Sequence, residues 1–194
     1  MYSKYLYLTE VEWYMNWVNG GEVPIKLASR YKSNTRNGIL TPDENQIHES
    51  KTDLNSLMPF IKFEENFDCK NINFKNITIN GVNLPSIENA KLYKEDGLIL
   101  SFCNTESEAI AKKFEKKVCV KILDINKLKE SFDKQIGCEG IMENCQYTNS
   151  HERNHFLKSN LDEWQNEFRI FWKSNNEKYL KVPQDIAVLV KTYI

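Results

Sequence analysis

The sequence predicts one α+β domain spanning residues 1–194, and three observations carry that prediction. At 194 residues the chain suffices for one sizeable core and is short for two. Its 41% hydrophobic and 12% aromatic content supplies apolar surface to offset the entropy of ordering. Strand-like alternation and helix-like recurrence of apolar residues interchange along it, without an internal repeat.

Residues 5–9 are short and aromatic and predict a strand. Thr9 and Glu12 stand at capping-box spacing and open a helix, with Val11, Tyr14, Met15 and Val18 as its packed face and Gly20-Gly21 as its stop. Residues 23–29 predict a strand, with Pro24 near its start, where a missing N–H matters least. Residues 31–55 are polar, carry Asn37-Gly38 and Thr41-Pro42-Asp43-Glu44-Asn45, and predict a long loop, which in a compact domain is functional or disordered. Residues 72–79 alternate toward Asn80-Gly81, a hairpin signal, with residues 82–84 returning.

Residues 97–103 form a nearly continuous apolar run and predict a central strand. A helix follows over residues 104–117, with Thr105 and Glu108 as its capping box. Residues 118–123 predict a strand, residues 125–132 a short helix, and residues 137–153 a polar, turn-rich stretch. Near the end Ile186, Val188 and Val190 alternate, which predicts a strand within residues 183–193.

Periodicity leaves residues 164–172 open. As a strand they put Trp164, Phe168, Ile170 and Trp172 on one face and Gln165, Glu167 and Arg169 on the other. As a helix, Leu161, Trp164, Phe168 and Phe171 share a face. A helical turn from Asn160 to about Gln165 running into a strand reconciles the two. The plain alternative for Glu167 and Arg169 is a surface ion pair on a half-exposed strand, worth less than about 1 kcal/mol.

Twenty-six basic against 27 acidic residues leave no global field of the kind that dominates duplex DNA binding. The densest basic run, Lys112, Lys113, Lys116, Lys117 and Lys121, is interleaved with Glu108 and Glu115 and reads as the solvated face of a helix. The N-terminus lacks a leader-like apolar stretch, and no run of about eighteen apolar residues occurs, so a cytoplasmic protein with no membrane contact is expected. Five cysteines without CxxC spacing fit reduced thiols.

Cys138, Cys145, His151 and His155 sketch a zinc ligand set, but its cysteine gap is wider than structural sites use, and no metal is expected. The paired carboxylates Asp43 and Glu44 would suit a hard cation, yet Pro42-Asp43 reads first as the start of a turn. Without GxGxxG, a Walker loop or HExxH, the dehydrogenase, phosphate-loop NTPase and zincin classes lose their usual support.

Taken together, Ser29-Arg30-Tyr31, Arg36-Asn37-Gly38, Thr41-Pro42-Asp43-Glu44-Asn45, residues 97–102, His155-Phe156-Leu157-Lys158 and Trp164-Gln165-Asn166-Glu167-Phe168-Arg169 resemble a bacterial ADP-ribosyltransferase-like group. Within it the resemblance is to the messenger-RNA-modifying toxins of tripartite toxin, antitoxin and chaperone phage-defence systems. Gln165-Asn166-Glu167 is similar to the Gln/Glu-x-Glu motif on a late strand of many such enzymes. The family pattern also has an Arg or His on the first core strand and a Ser or Tyr on a following one. Arg30 and Ser101 fit if the first strand is residues 25–31; if it is residues 4–9, the position holds Tyr7 or Lys4 and departs from the pattern.

The resemblance implies an α+β core of two packed, mostly antiparallel small sheets with flanking helices. It implies NAD as substrate, Glu167, Gln165 and Arg30 as catalytic residues, and Arg36, Tyr31, Ser101 and Tyr7 as NAD contacts. It further implies a toxin or phage-defence effector with a macromolecular acceptor such as RNA, and an antitoxin protein as partner.

Such chemistry has a physical use for these residue types. Breaking the glycosidic bond of NAD passes through an oxocarbenium-like state that a nearby carboxylate and hydrogen bonds to the 2-OH stabilise. Arg169 favours the charged form of Glu167, and Gln165 can orient an acceptor without titrating. A guanidinium fork suits the pyrophosphate, and tyrosine rings can stack on nicotinamide or adenine. Two other classes stay open at this point. One is a non-enzymatic interaction module using the 31–55 loop and exposed aromatics; the other is a metal-dependent nuclease using Asp43, Glu44 and Glu167.

Overall fold

The structure, a computed structural model, describes residues 3–57, 60 and 68–193. Met1 and Tyr2, the start of the N-terminal stretch read above, lie outside the described residues. In chain order the first strands are β1 (Lys4–Leu8), β2 (Glu22–Leu27), β3 (Gln46–Glu49), β4 (Cys69–Phe74), β5 (Thr78–Ile79), β6 (Val82–Asn83), β7 (Ile87–Lys94) and β8 (Leu98–Cys103). Then come β9 (Val118–Ile122), β10 (Ile141–Asn144), β11 (Gln146–Thr148), β12 (Leu157–Ser159), β13 (Glu167–Trp172), β14 (Lys178–Lys181) and β15 (Ala187–Thr192). The helices are α1 (Tyr14–Asn19), α2 (Glu108–Lys113) and α3 (Ile125–Ile136), with 3-10 turns at Val11–Trp13, Ala28–Tyr31, Leu54–Leu57 and Asn160–Gln165.

The main sheet runs β10-β13-β8-β1-β9-β15 with every neighbour antiparallel, and β2 joins β8 while carrying β14 on its other edge. A three-stranded antiparallel sheet β3-β7-β4, the β5-β6 hairpin and a parallel β11-β12 pair complete the described strands. The class is therefore α+β, mostly antiparallel with few helices, as expected.

One face of the main sheet packs Leu6, Leu8, Val120, Ile122, Phe168 and Ile170 against Leu128 and Phe132 of α3, forming the largest core cluster. Its polar seam is specific: Trp172 Nε1 donates to Asp133 at 2.6 Å, and the Gly140 N–H donates to the same carboxylate at 3.0 Å. A Cβ on Gly97 would fall 2.4 Å from the Phe171 ring, so glycine there permits the entry of β8 beside β13.

Several local expectations need correction. The Thr9/Glu12 box does not form: Glu10 is the N-cap without a side-chain bond, and a 3-10 turn precedes α1. That helix is six residues long, so Val11 and Met15 stay exposed and Trp17 is the residue it buries. Gly20 does stop it in the left-handed region at φ 74°.

Ser107, not Thr105, caps α2, which ends at Lys113 because Glu115 adopts φ 54° and breaks the helical path. Residues 72–79 do not form one strand: Asn76 at φ 56° divides β4 from the hairpin. The stretch 137–153 contains β10 and β11, whose short polar strands carry no periodic signal. Among the described residues, no helix is long and apolar enough to cross a membrane.

Candidate active site

β1 and β8 share a single ladder pair, Tyr5↔Cys103, while β2 takes the same edge of β8 at Lys26↔Ile99 and Leu27↔Leu98. Between those points β1 and β8 part. A cleft of about 610 Å³ opens there, lined by Leu6, Tyr7 and Leu8 of one strand and Leu100, Ser101 and Phe102 of the other. Its size lies in the range of small-molecule sites.

Glu167 lines this cleft at the start of β13, and its register opposite Cys103 gives it the same face as Tyr5. The route into that position is a change of backbone. The 3-10 turn Asn160–Gln165 ends at Asn166, which adopts φ 43°, ψ 56°, and the strand begins at the next residue. Asparagine tolerates this left-handed conformation better than most residues. The expected helical turn running into a strand is thus what forms, and Gln165 reaches the side of Glu167 through the Asn166 turn instead of by strand alternation.

The two side chains meet at Lys158, on β12. Its Nζ donates to Glu167 Oε2 at 2.6 Å and to Gln165 Oε1. Arg169 Nε donates to the other carboxylate oxygen of Glu167 at 2.7 Å. The same guanidinium reaches Glu44 with both terminal nitrogens, at 2.9 and 3.0 Å, and the His155 carbonyl at 3.0 Å.

Glu167 is 5% exposed, so these pairs are not the surface ion pair of the plain alternative. Burial by itself pushes the Glu167 carboxyl up, but Arg169 and Lys158 outweigh it and hold the group down at about 2. The carboxylate is ionised at neutral pH. The Glu167 N–H, for its part, donates to the Tyr147 hydroxyl at 2.9 Å, which fixes the strand start.

The loop after Tyr31 is pinned rather than loose. Arg36 pairs with Asp43 and Asp162 and donates to Thr41 at 2.8 Å, and Arg153 Nε donates to Asp43 at 2.9 Å. Burial raises the Asp43 carboxyl, yet the two arginines outweigh it and leave it below the usual range. The loop carries Ile39 and Glu44 to the cleft and offers the Gly38 carbonyl to Gln165 Nε2 at 3.3 Å.

Of the residues singled out from sequence, Glu167, Gln165, Tyr31, Ser101 and Tyr7 line this one cleft. Arg30 and Arg36 do not. Arg30 sits in the 3-10 turn Ala28–Tyr31, not on a strand, because Ser29 N–H and Oγ bond the Asp96 carboxylate and turn the chain. Its side chain is 68% exposed and pairs with Glu177 at 2.7 Å. The first core strand is instead β1, where Lys4 faces away over the Phe168 ring and Tyr5 and Tyr7 line the cleft. The guanidinium of Arg36 is taken up inside the protein by two carboxylates.

Neither metal arrangement assembles. Cys138 Sγ faces the Lys173 carbonyl, Cys145 is buried, His151 Nε2 meets the Ser50 carbonyl, and His155 stacks on Phe171 at 3.7 Å. Asp43 and Glu44 are both occupied by arginines, and among the described residues no group of three or more His, Cys, Asp or Glu side chains could hold a metal. The five cysteines are free.

Sequence reasoning missed Lys158 as the partner of Glu167 and Glu44 as the partner of Arg169. Lys158 was visible only as part of the resemblance, since one lysine on a three-residue strand has no periodic signature. No protein-family model matches the chain, and no curated protein or solved structure is significantly similar to it.

Proposed function

We propose that the chain is an NAD-dependent ADP-ribosyltransferase acting as a toxin or phage-defence effector, with a macromolecular acceptor for which messenger RNA is the candidate the resemblance names. The observation that carries this reading is Glu167, a buried carboxylate held ionised by Lys158 and Arg169 in a cleft where two sheet strands part. A carboxylate so placed accepts a hydrogen bond from a ribose 2-OH and stabilises positive charge on the ring as the bond to nicotinamide breaks. Nicotinamide leaves with the bonding electron pair, the acceptor adds to the ribose carbon, and the acceptor's proton is released.

Gln165 accepts through Oε1 from the same Lys158 ammonium that binds Glu167, while its Nε2 donates to the Gly38 carbonyl, and this amide beside the carboxylate suits the task of orienting an acceptor. Tyr7, Tyr31 and Ser101 supply ring faces and a hydroxyl to the walls. β1 and β8, each supported on the outer edge by β9 and β13, belong to one eight-stranded sheet that opens locally at the cleft, rather than to the two separate small sheets that the resemblance implies.

The interaction-module alternative uses exposed aromatics together with the 31–55 loop. Its Arg36, Asp43 and Glu44 are engaged internally, which favours a loop that builds the cleft. Incubation with labelled NAD and cellular RNA or protein tests the proposal: wild type transfers label and Glu167→Ala does not. Expression should slow growth for wild type only. Absence of transfer by wild type, or equal transfer by Glu167→Ala, refutes it.

A further inference from the structure

Among the described residues, four cationic side chains line the cleft: Lys26, Lys116, Lys158 and Arg169. Three are already neutralised, Lys26 by Glu177 at 2.9 Å, Lys158 by Glu167 at 2.6 Å and Arg169 by Glu44 and Glu167. Lys116 is different. Among the described residues it has no carboxylate within ion-pairing distance, and its Nζ donates to the Thr9 hydroxyl at 2.7 Å.

Its aim into the cleft is built by the backbone. After α2, Phe114 and Glu115 close the helix, Glu115 at φ 54°, and the Lys116 N–H returns to the Ala111 carbonyl at 2.9 Å. The Lys117 N–H then bonds the Leu8 carbonyl at 3.0 Å, fastening the segment to the end of β1. Ahead of β9, Lys117 pairs with Glu10 while Lys116 lines the cleft. Elsewhere in the same basic run Lys113 lies over the Trp164 ring, outside the cleft. The solvated helix face expected from the sequence therefore does not form over the whole run: only Lys112 and Lys113 lie on α2, Lys116 and Lys117 follow it, and Lys121 is on β9.

The half-buried position is costly for an ammonium. Burial lowers the proton affinity of Lys116, with only Glu115 opposing it, so an anion arriving in the cleft would be stabilised by an incompletely solvated cation. Both Lys116 and Glu167 line the cleft, and Thr9, which accepts from the Lys116 ammonium, lies four residues along the chain from Tyr5, whose ladder partner Cys103 also pairs with Glu167.

We propose that Lys116 is the phosphate-binding cation of this cleft, donating to a diphosphate oxygen of the dinucleotide in the role the sequence had suggested for Arg36. This rests on the ADP-ribosyltransferase reading and adds a residue and a ligand group to it. Arg36 and Arg169 are saturated by carboxylates, so the diphosphate has no comparably free cation among the described residues lining the cleft.

Calorimetric titration of the full chain with ADP-ribose and with nicotinamide riboside, which lacks phosphate, tests this. Lys116→Met should weaken ADP-ribose binding by about tenfold or more, the size of a charge-assisted hydrogen bond, and leave nicotinamide riboside binding unchanged. Lys116→Arg, which keeps the charge, should recover most of the loss, and a melting temperature near wild type should show that Lys116→Met is folded. Equal ADP-ribose affinity for wild type and Lys116→Met overturns the role of the lysine and leaves the enzymatic reading standing. A wild-type protein that binds neither ADP-ribose nor NAD overturns both.

Discussion

Arg169 joins Glu44 to Glu167: its two terminal nitrogens hold Glu44 at 2.9 and 3.0 Å while its Nε holds Glu167 at 2.7 Å. Arg169 is 5% exposed, so a residue of the long polar loop and a residue of a central strand are tied through a buried charge. The loop is consequently part of the site's electrostatics and not an appendage to it.

Removing Glu44 leaves Arg169 with one carboxylate in place of two. Glu44→Ala should lower folding stability by about 3–5 kcal/mol, the cost of breaking a buried pair, read as a fall in the urea midpoint. Adding Arg169→Met to that variant should recover part of the loss, because the unbalanced charge goes with it. A Glu44→Ala protein as stable as wild type would contradict the arrangement.

Acid should expose the same network. The folded Glu167 carboxyl lies near 2, against an ordinary 4.5, so its contribution is fully present above about pH 4.5 and is lost as pH falls through about 2. The shift corresponds to a stabilisation on the order of 3 kcal/mol. Unfolding midpoints measured from pH 6 to pH 2 should fall within that window, and the slope there should flatten in Glu167→Gln.

Lys158 bears on the chemistry more directly. Lys158→Met removes one of two cations at Glu167, so the carboxyl moves upward and protonates sooner as pH falls. The acid limb of the pH–activity profile should shift to higher pH by on the order of one unit relative to wild type. An unmoved limb with reduced activity would assign Lys158 a purely structural role.

Arg30 gives the opposite case. It is an exposed residue paired with Glu177, an ion pair of the kind worth under about 1 kcal/mol. Arg30→Ala should change stability by less than about 0.5 kcal/mol and leave transfer from NAD near wild type. A hundredfold loss of activity would restore the arginine to the site.

How much of this was legible in the sequence depended on where the determining contacts lie. The run at residues 97–103 announced β8 because a strand buried on both faces must be apolar throughout. Residues 118–123 did the same for β9, and Asn80-Gly81 marked its hairpin. The C-terminal turn and strand were legible because helical and strand periodicities conflicted at Gln165, which is where the backbone changes.

What stayed hidden was set by long-range partners. Arg30 and Arg36 look equivalent to Lys116 as cations in a sequence, yet Glu177, Asp43 and Asp162 neutralise the first two, and those residues lie up to 147 positions away. Cap positions moved by two residues in α2, and β10, β11 and β14 were missed because their pairing is dictated by neighbours rather than by their own pattern.

The central claim is that the ionised carboxylate of Glu167 acts on the nicotinamide ribose. Nicotinamide release from NAD, with and without a cellular RNA acceptor, measures it most directly. Wild type should release nicotinamide and Glu167→Gln, which keeps the shape and loses the charge, should be slower by about a hundredfold or more. Equal rates in the two proteins, or no release by wild type with any acceptor, would contradict it.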